Sequence, residues 1–539
     1  MGGPLWQPER VHVIPRPWSV VPRSGAPVRL PAGGPVSCDA SVRDLVARFV
    51  ADVAIGVPMQ LTSDTPGEPG GVVEVGLQDD GVMPDVVPAG ISPTGELVDE
   101  RSHVTIGDGR VTVLAPSIAG VRHGLTTLRQ LVATAPRPNG EVVLAPVEIF
   151  DAPRIAWRGL SLDVVRCFVP LDEVRRIVDL LERYKLNVLH LHLSDDQGWR
   201  LEIPGRPELT AIGGARAAKG RPGGWYSLDE FGALCRYAAE RGVTIVPEID
   251  MPGHSAAAIR SVPGLAANGG SLLLPDHPGV LDFAREVVHA LASAAPGPYV
   301  HVGGDEAFGM DHGAYARFVD EVRRMVAATG KRMVAWQETA RSEIGPDDVV
   351  QHWMRFDPAL EAAIDAGDFG AAGLPPEAVV PRERLDAVVD MFRTGRRDLG
   401  RALARGARVI LSPADRLYLD RPYAEPATDP AHEALRSRVG LQVYAPATAE
   451  ESYDWEPADA LPGALDRVAG VEAAVWCETV ESMEDLEFLL LPRLPGVAER
   501  AWSPAGGAWA DYRERLGRQS VWWRRDGWTW CSSSLVDWA

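Results

Sequence analysis

Asp305 and Glu306 stand side by side directly after the run Tyr299-Val-His-Val-Gly-Gly304. Four residues of strand character lead into two glycines, which free the backbone to turn, and two acids follow where the strand stops. Adjacent residues of a regular strand point to opposite faces, so both carboxyls serve one pocket only if the strand breaks at Gly303-Gly304. Two carboxyl groups in one pocket are the raw material of acid–base chemistry. An isolated Asp-Glu pair is ordinarily a solvated surface feature, so the surroundings of this one decide.

Those surroundings are a series of alternating strands and helices that begins after Asp151-Ala-Pro-Arg154. Strand patterns fall at 159–163, 187–193, 243–248, 299–302, 332–335, 349–352, 408–411 and 471–476, with helical patterns at 171–184, 228–241, 283–292, 315–329 and 483–491. Eight such units predict an α/β fold of the (β/α)8 TIM-barrel type, whose working residues sit at the C-terminal ends of the strands. Unusual polar residues gather there. Strand one is approached by Arg158 and ends near Asp163; strand two runs into Asp195 and Asp196; strand three ends in Glu248, Asp250 and His254. Strand five gives Trp336-Gln337-Glu338, strand six His352-Trp353, strand seven leads to Tyr418 and Asp420, and strand eight gives Trp476-Cys477-Glu478. Such a mouth is acidic and aromatic. Rings offer flat apolar faces to the C–H groups of a sugar, and carboxylates accept hydrogen bonds from its hydroxyls.

Residues 1–150 read differently, as a small α+β domain with strand runs at 72–77, 103–106 and 111–114 and a helix over 120–132. Gly107-Asp-Gly109 predicts a hairpin between the last two strands. The barrel domain is expected over 151–539, with a C-terminal extension and a long insertion around 355–407, where a basic helical stretch, 384–405, follows two irregular ones, 360–369 and 370–381. A connection this long in a barrel is often functional.

Composition narrows the partners. The 539 residues carry 54 Lys and Arg against 74 Asp and Glu, a net charge of −20, which argues against nucleic acid or an anionic membrane as a ligand and favours a neutral or small substrate. No run approaches the roughly 20 apolar residues of a membrane span, and Met1–Arg10 lacks a leader's basic start and apolar core, so the cytoplasm is the expected compartment. Five scattered cysteines without Cys-x-x-Cys spacing predict neither a disulfide framework nor a zinc–thiolate centre.

On these motifs the chain resembles the β-N-acetylhexosaminidases of glycoside hydrolase family 20. The resemblance rests on Trp157-Arg-Gly-Leu-Ser-Leu-Asp163, on Leu189-His-Leu-His-Leu-Ser-Asp-Asp-Gln-Gly-Trp-Arg200 and on Val246-Pro-Glu-Ile-Asp-Met-Pro-Gly-His254. His301-Val-Gly-Gly-Asp-Glu306 and Val471-Glu-Ala-Ala-Val-Trp-Cys-Glu478 complete it in the barrel, and Ile14-Pro-Arg-Pro17 with Gly124-Leu-Thr-Thr-Leu-Arg-Gln130 is similar to the family's accessory domain. The resemblance implies an exo-acting, retaining enzyme that removes terminal GlcNAc or GalNAc from the non-reducing end of an oligosaccharide or glycoconjugate, with no metal or organic cofactor. It implies that the substrate's own acetamido oxygen attacks the anomeric carbon, which removes the need for a protein nucleophile. Glu306 is then the general acid and Asp305 the carboxylate that holds the acetamido group. Arg158, Asp420 and Glu478 are expected at the sugar hydroxyls, Trp336, Trp353 and Trp476 around the ring and acetamido faces, and Tyr418 at the acetamido carbonyl. Asp195 and His254 are expected as a pair orienting Glu306, with Asp250 behind them. Gln337, where the family often has histidine, and the long insertion depart from the pattern.

Two other readings stand beside this one. His190, His192, His254, His301 and Asp305 could ligate a metal in a hydrolase on the same barrel, although His-x-His within a strand is more often core packing. A sugar-binding protein without activity is the other.

Overall fold

The computed structural model describes residues 11–54, 59–63, 72–78, 83, 85–266, 270–355 and 382–539. The N-terminal stretch 1–10 and the irregular part of the insertion, 356–381, lie outside the described residues. Among the described residues nine strands form the first domain: β1 (Ser19–Pro22), β2 (Val28–Leu30), β3 (Gly34–Cys38), β4 (Met59–Ser63), β5 (Val73–Leu77), β6 (Ser102–Gly107), β7 (Arg110–Ala115), β8 (Val142–Leu144) and β9 (Val147–Asp151). Seven of them build one sheet in the order β1-β9-β6-β7-β5-β3-β4. The predicted hairpin is present: β6 and β7 pair antiparallel, and the two residues between them, Asp108 (φ 51°) and Gly109 (φ 79°), both take the left-handed conformation that suits a tight turn to the twist of the strands. Val121, Leu125, Leu128 and Val132 put one apolar stripe of the helix Ile118–Thr134 against the sheet, and this stripe and the alternating valines of β5 to β7 form the domain's core.

β10 (Trp157–Asp163), β11 (Val188–His192), β12 (Thr244–Glu248), β13 (Tyr299–His301), β14 (Arg332–Trp336), β15 (Val349–His352), β16 (Arg408–Leu411) and β17 (Val468–Val475) close a parallel barrel in sequence order, β17 pairing back onto β10. The expected strands thus lie within a few residues of their predicted limits. Every residue of β10 and of β17 is buried, as both faces of a parallel sheet wrapped in helices must be.

The barrel is filled less simply than its pattern suggests. Barrel interiors are usually layers of branched aliphatic side chains; here the upper layers are ionic. Glu472 accepts hydrogen bonds from Trp157 Nε1 (2.8 Å), His190 Nδ1 (2.9 Å) and Gln351 Nε2 (3.1 Å), and Glu248 accepts from His192 Nδ1 (2.6 Å), His190 Nε2 (3.1 Å) and Trp336 Nε1 (2.9 Å). Buried charges survive only where paired and hydrogen-bonded, and these are.

Polar contacts also join the two domains. Lys185 Nζ reaches Asp151 Oδ2 at 2.5 Å and Thr127 Oγ1 at 2.8 Å, and Gln130 Nε2 donates to the Arg183 carbonyl at 3.1 Å. Arg158 belongs to this seam and not to the barrel mouth, contrary to the expectation that it binds sugar hydroxyls. It is the second residue of β10, at the end opposite the mouth, and is fully buried. Its guanidinium meets Glu100 at 2.6 and 3.1 Å and donates to the carbonyls of Lys185, Ile155 and Ala156 at 2.8, 2.8 and 3.0 Å.

Candidate active site

β13 ends at His301, and the chain then breaks as its two glycines predict: Gly303 (φ 68°) and Gly304 (φ 101°) are both left-handed. A side chain at Gly303 is impossible on two counts, because a Cβ there would lie 1.7 Å from Asp250 Oδ1. The Gly304 N–H donates to that same oxygen at 2.9 Å, and Tyr315 OH donates to the Gly304 carbonyl. The turn continues through Glu306, itself at φ 47°, a conformation that costs a residue with a Cβ about 1–2 kcal/mol. His254, at the end of the third strand's loop, sits in the same region at φ 46°. Two residues with working side chains therefore carry backbone strain that the surrounding contacts hold in place.

These turns bring the acids to one imidazole. His254 Nε2 lies 3.5 Å from Glu306 Oε2 and 3.8 Å from Asp305 Oδ2, while its Nδ1 is 3.1 Å from Asp195 Oδ1. Asp195 is fully engaged: its other oxygen takes Arg166 at 2.6 Å and His192 Nε2 at 2.8 Å. Burial would raise its pKa, but Arg166 and His254 outweigh burial and hold the carboxyl well below the usual range. In return Asp195 overcomes the burial of His254 and keeps that imidazole charged. The expected Asp195–His254 pair is thus in place beside Glu306.

Asp250 is closer to the acids than expected. It faces Asp305, and its carboxyl, that of Asp305 and a nitrogen of His254 lie within 4.8 Å of one another. Burial pushes Asp250 up to about 8, and burial together with Asp250 pushes Asp305 well above the ordinary aspartate value. Two buried carboxyls this close hold one proton between them near neutral pH, because the second charge has neither water nor room.

Arg166 takes the place in the mouth that Arg158 was expected to fill. It follows β10 by three residues, on the loop at the barrel's working end, and Asp163 positions it by accepting the N–H groups of Val165 (2.7 Å) and Arg166 (3.0 Å). The same carboxyl accepts the Cys477 N–H at 3.1 Å, so the loops after β10 and β17 are tied at one point. Arg166 also stacks over the ring of Trp476 at 5.4 Å. A bidentate or stacked arginine is not replaceable by lysine. Arg166→Lys is therefore expected to lower kcat/KM by about 10-fold or more with little change in Tm, whereas Arg158→Met leaves half-buried Glu100 with His123 but without its guanidinium and destabilises by about 3–5 kcal/mol. Thermal melts and steady-state kinetics on the two variants check this, and an Arg158 variant of normal Tm and raised KM would reverse the assignment.

The aromatic wall is uneven. Trp476 and Trp353 are partly exposed at the mouth, Tyr418 stands parallel to Trp353 with centroids 6.4 Å apart, and Trp353 Nε1 donates to Glu338 Oε2 at 3.2 Å. Trp336 is fully buried beneath them, with its ring 6.0 Å from that of Trp476. Gln337, the departure noted in the sequence, has a definite task. Its Oε1 accepts from His352 Nδ1 (2.8 Å) and from the backbone N–H groups of Trp353 (3.0 Å) and Met354 (2.8 Å), pinning the turn that presents Trp353.

Asp420 is buried and Glu478 half-buried; burial, and then Glu478, raises Asp420 far above its usual value. Oxygens of Asp305, Glu338, Asp420 and Glu478 have no donor in hydrogen-bonding geometry among the described residues. Four underused buried acceptors around one mouth match a ligand rich in O–H and N–H groups. Tyr444 joins them unforeseen. It packs edge-on against Tyr418 with centroids 5.9 Å apart, and burial, followed by the charges of Asp420, Glu306 and Glu478, raises its hydroxyl pKa. It comes from an irregular loop in which no periodicity marks it.

Histidine and acid clusters that could suit a metal do occur, as around His190, Glu248 and His301. Within that cluster burial holds His301 below its ordinary pKa, whereas the strand-two histidines are ion-paired. His190 and His192 each direct both ring nitrogens at carboxylates, which outweigh burial and raise them to about 9 and about 10.

A parallel barrel whose mouth joins adjacent strand-end acids to aromatic rings and underused carboxylates is the architecture of a glycoside-cleaving enzyme. Residues 155–313 and 378–505 match the profile of the glycosyl hydrolase family 20 catalytic domain, and residues 10–152 match the profile of that family's domain 2. The chain is 36% identical to a beta-N-acetylhexosaminidase of Cellulomonas fimi, over 98% of this chain and 97% of that protein. It superposes with a TM-score of 0.81 and 34% identity on a mutant Streptomyces plicatus beta-hexosaminidase in complex with product GlcNAc, covering 98% of each chain. A Streptomyces coelicolor beta-N-acetylhexosaminidase gives the same TM-score and identity, over 98% of this chain and 99% of that one. The chain belongs to glycosyl hydrolase family 20.

Proposed function

We propose that this chain is an exo-acting, retaining β-N-acetylhexosaminidase, acting on saccharides that end in a non-reducing N-acetylhexosamine and using the substrate's acetamido group as the nucleophile. The observation that carries the reading is the placement of Asp305 and Glu306 on the same imidazole, at 3.8 and 3.5 Å. Retaining enzymes with a protein nucleophile set their two carboxyls on opposite sides of the bond, about 5 Å apart. Consecutive acids gathered on one side suit a division of labour in which neither attacks carbon.

In the first step the acetamido carbonyl oxygen forms a bond to C1 while the C1–O bond to the leaving group breaks, and Glu306 delivers its proton to the departing oxygen. Asp305 accepts the acetamido N–H and offsets the positive charge that develops on the oxazolinium ring. Its underused Oδ1 is the acceptor for that N–H. In the second step Glu306, now a carboxylate, takes a proton from water as the water adds to C1, and the acetamido oxygen leaves with net retention. His254, kept charged by Asp195, orients Glu306, and Tyr418 aligns the acetamido carbonyl. Trp353 and Trp476 wall the ring with Trp336 behind them. Arg166, in place of Arg158, meets the sugar hydroxyls together with Asp420 and Glu478. Among the described residues no helix is long and apolar enough to cross a membrane.

Turnover of the p-nitrophenyl β-glycosides of GlcNAc, GalNAc and glucose tests the reading. A well-oriented internal nucleophile supplies many orders of magnitude of effective concentration, so the glucoside should be slower by on the order of 10³-fold or more. Comparable rates for the GlcNAc and glucose derivatives would sink it.

A further inference from the structure

The ionic layers of the barrel reach its working site. Glu472 accepts from His190 Nδ1 at 2.9 Å, His190 Nε2 meets Glu248 Oε2 at 3.1 Å, and the same oxygen takes His192 Nδ1 at 2.6 Å. His192 Nε2 reaches Asp195 Oδ2 at 2.8 Å, Asp195 Oδ1 lies 3.1 Å from His254 Nδ1, and His254 Nε2 stands 3.5 Å from Glu306. Acid and imidazole thus alternate from the interior of the barrel to its mouth. Glu248 is the junction of this chain. Its second oxygen accepts Trp336 Nε1 at 2.9 Å, with His301 Nδ1 also at 2.9 Å, so residues of β11, β13 and β14 close on one fully buried carboxylate.

We infer that Glu248 is a positioning residue for glycoside cleavage: it fixes His192 as a two-ended donor, His192 fixes Asp195, and Asp195 aims His254 at Glu306. Its role rests on the reading of Glu306 as the proton donor. Geometry requires a proton on both nitrogens of His192, because a neutral ring would turn a lone pair on a carboxylate 2.6 or 2.8 Å away. Arg166, 3.4 Å from His192 Nε2, opposes that charge and so does burial; the two carboxylates prevail. As filling, such a layer offers little. Buried ion pairs are often no more stabilising than apolar side chains of the same volume, and barrels of this type ordinarily use Val, Ile and Leu there. What hydrogen bonds add and aliphatic contacts lack is direction. The far end of the chain needs it: His254 is held at φ 46°, which persists only where neighbours over-determine it, and Asp195 is the carboxylate nearest its ring. Glu248 directs a second group as well, since the indole N–H of Trp336 points at its other oxygen.

Two substrates on three variants test this. N,N′-diacetylchitobiose needs a well-aligned acid, whereas the dinitrophenyl β-glycoside of GlcNAc has a leaving group that departs without one. Glu248→Gln keeps the shape of the side chain and removes its charge. In that variant kcat/KM for the disaccharide should fall about 10-fold further than for the aryl glycoside, since a misplacement of about 1 Å costs on the order of 100-fold where alignment counts. His192→Phe, which cuts the chain one link nearer Asp195, should show the same split. Glu472→Gln disturbs the same ionic core two links further away and should lower Tm without separating the substrates. Equal losses on both substrates in Glu248→Gln and His192→Phe, or a split as large in Glu472→Gln, would reduce Glu248 to core filling and overturn the assignment. Where neither variant folds, the unmodified enzyme decides. Labelled with 15N-histidine at about pH 8, where an ordinary histidine is neutral, it should show three rings with both nitrogens protonated, those of His190, His192 and His254. A smaller number would break the chain and overturn the assignment. Glu306→Gln, run alongside, separates this from the reading beneath it: if that variant loses both substrates equally, it is Glu306 as proton donor that falls.

Discussion

Glu306→Gln is expected to lower turnover of N,N′-diacetylchitobiose by about 10³-fold and the first step with a dinitrophenyl glycoside far less. The range for a positioned acid is about 10²–10⁴, and a sugar alkoxide cannot leave without its proton whereas a dinitrophenolate can. The same residue takes the proton from water in the second step, so the variant should accumulate the intermediate with the activated substrate. Azide, a nucleophile that needs no base, should then restore turnover and yield the β-glycosyl azide. Pre-steady-state bursts and product analysis read both effects. An equal loss on both substrates, with no response to azide, would remove Glu306 from the role of acid.

Asp305→Asn should behave differently, with a loss of about 10²–10³-fold that does not depend on the leaving group. A carboxylate aimed at developing positive charge acts in the transition state, and its removal costs about what the loss of a comparable electrostatic donor costs elsewhere. The amide keeps the shape and can still meet the acetamido group, but it removes the charge and breaks up the proton shared with Asp250. Rates plotted against leaving-group pKa should therefore drop as a parallel line. A slope that steepened as in Glu306→Gln would mean that Asp305, and not its neighbour, moves the proton.

These two residues were legible in the sequence because a strand pattern, two glycines and two acids in immediate succession leave few structural options. The eight strands were legible for a related reason: each is a short apolar run that ends in polar residues, and the runs recur with helical patterns between them. Arg158 and Arg166 show where such reading stops. Arg158 is the second residue of β10 and Arg166 follows its end by three, and the partner that claims Arg158 is Glu100, 58 residues upstream in another domain. No local pattern reveals a pairing of that span, although the rule that barrels work at the C-terminal ends of their strands, applied strictly, excludes Arg158 and leaves Arg166. Tyr444 was invisible because irregular loops carry no period. Glu248 looked like one more strand-end acid; its place between two ionised histidines and Trp336 depends on three strands meeting. His190 and His192, read as core packing, are indeed buried, but as cations.

The seam beneath the barrel bears on how this chain can be divided. Arg158 lies inside the barrel's floor, and the carboxylate that neutralises it is delivered by the preceding sheet domain. Lys185 depends in the same way on Asp151. Cutting away the first domain would strand an uncompensated guanidinium in a dry interior, which proteins tolerate poorly. The catalytic barrel is for that reason not a transferable module: the sheet in front of it acts as a counter-ion that happens to be a folded domain, and a shortened enzyme would have to be neutralised at Arg158 before it could stand alone.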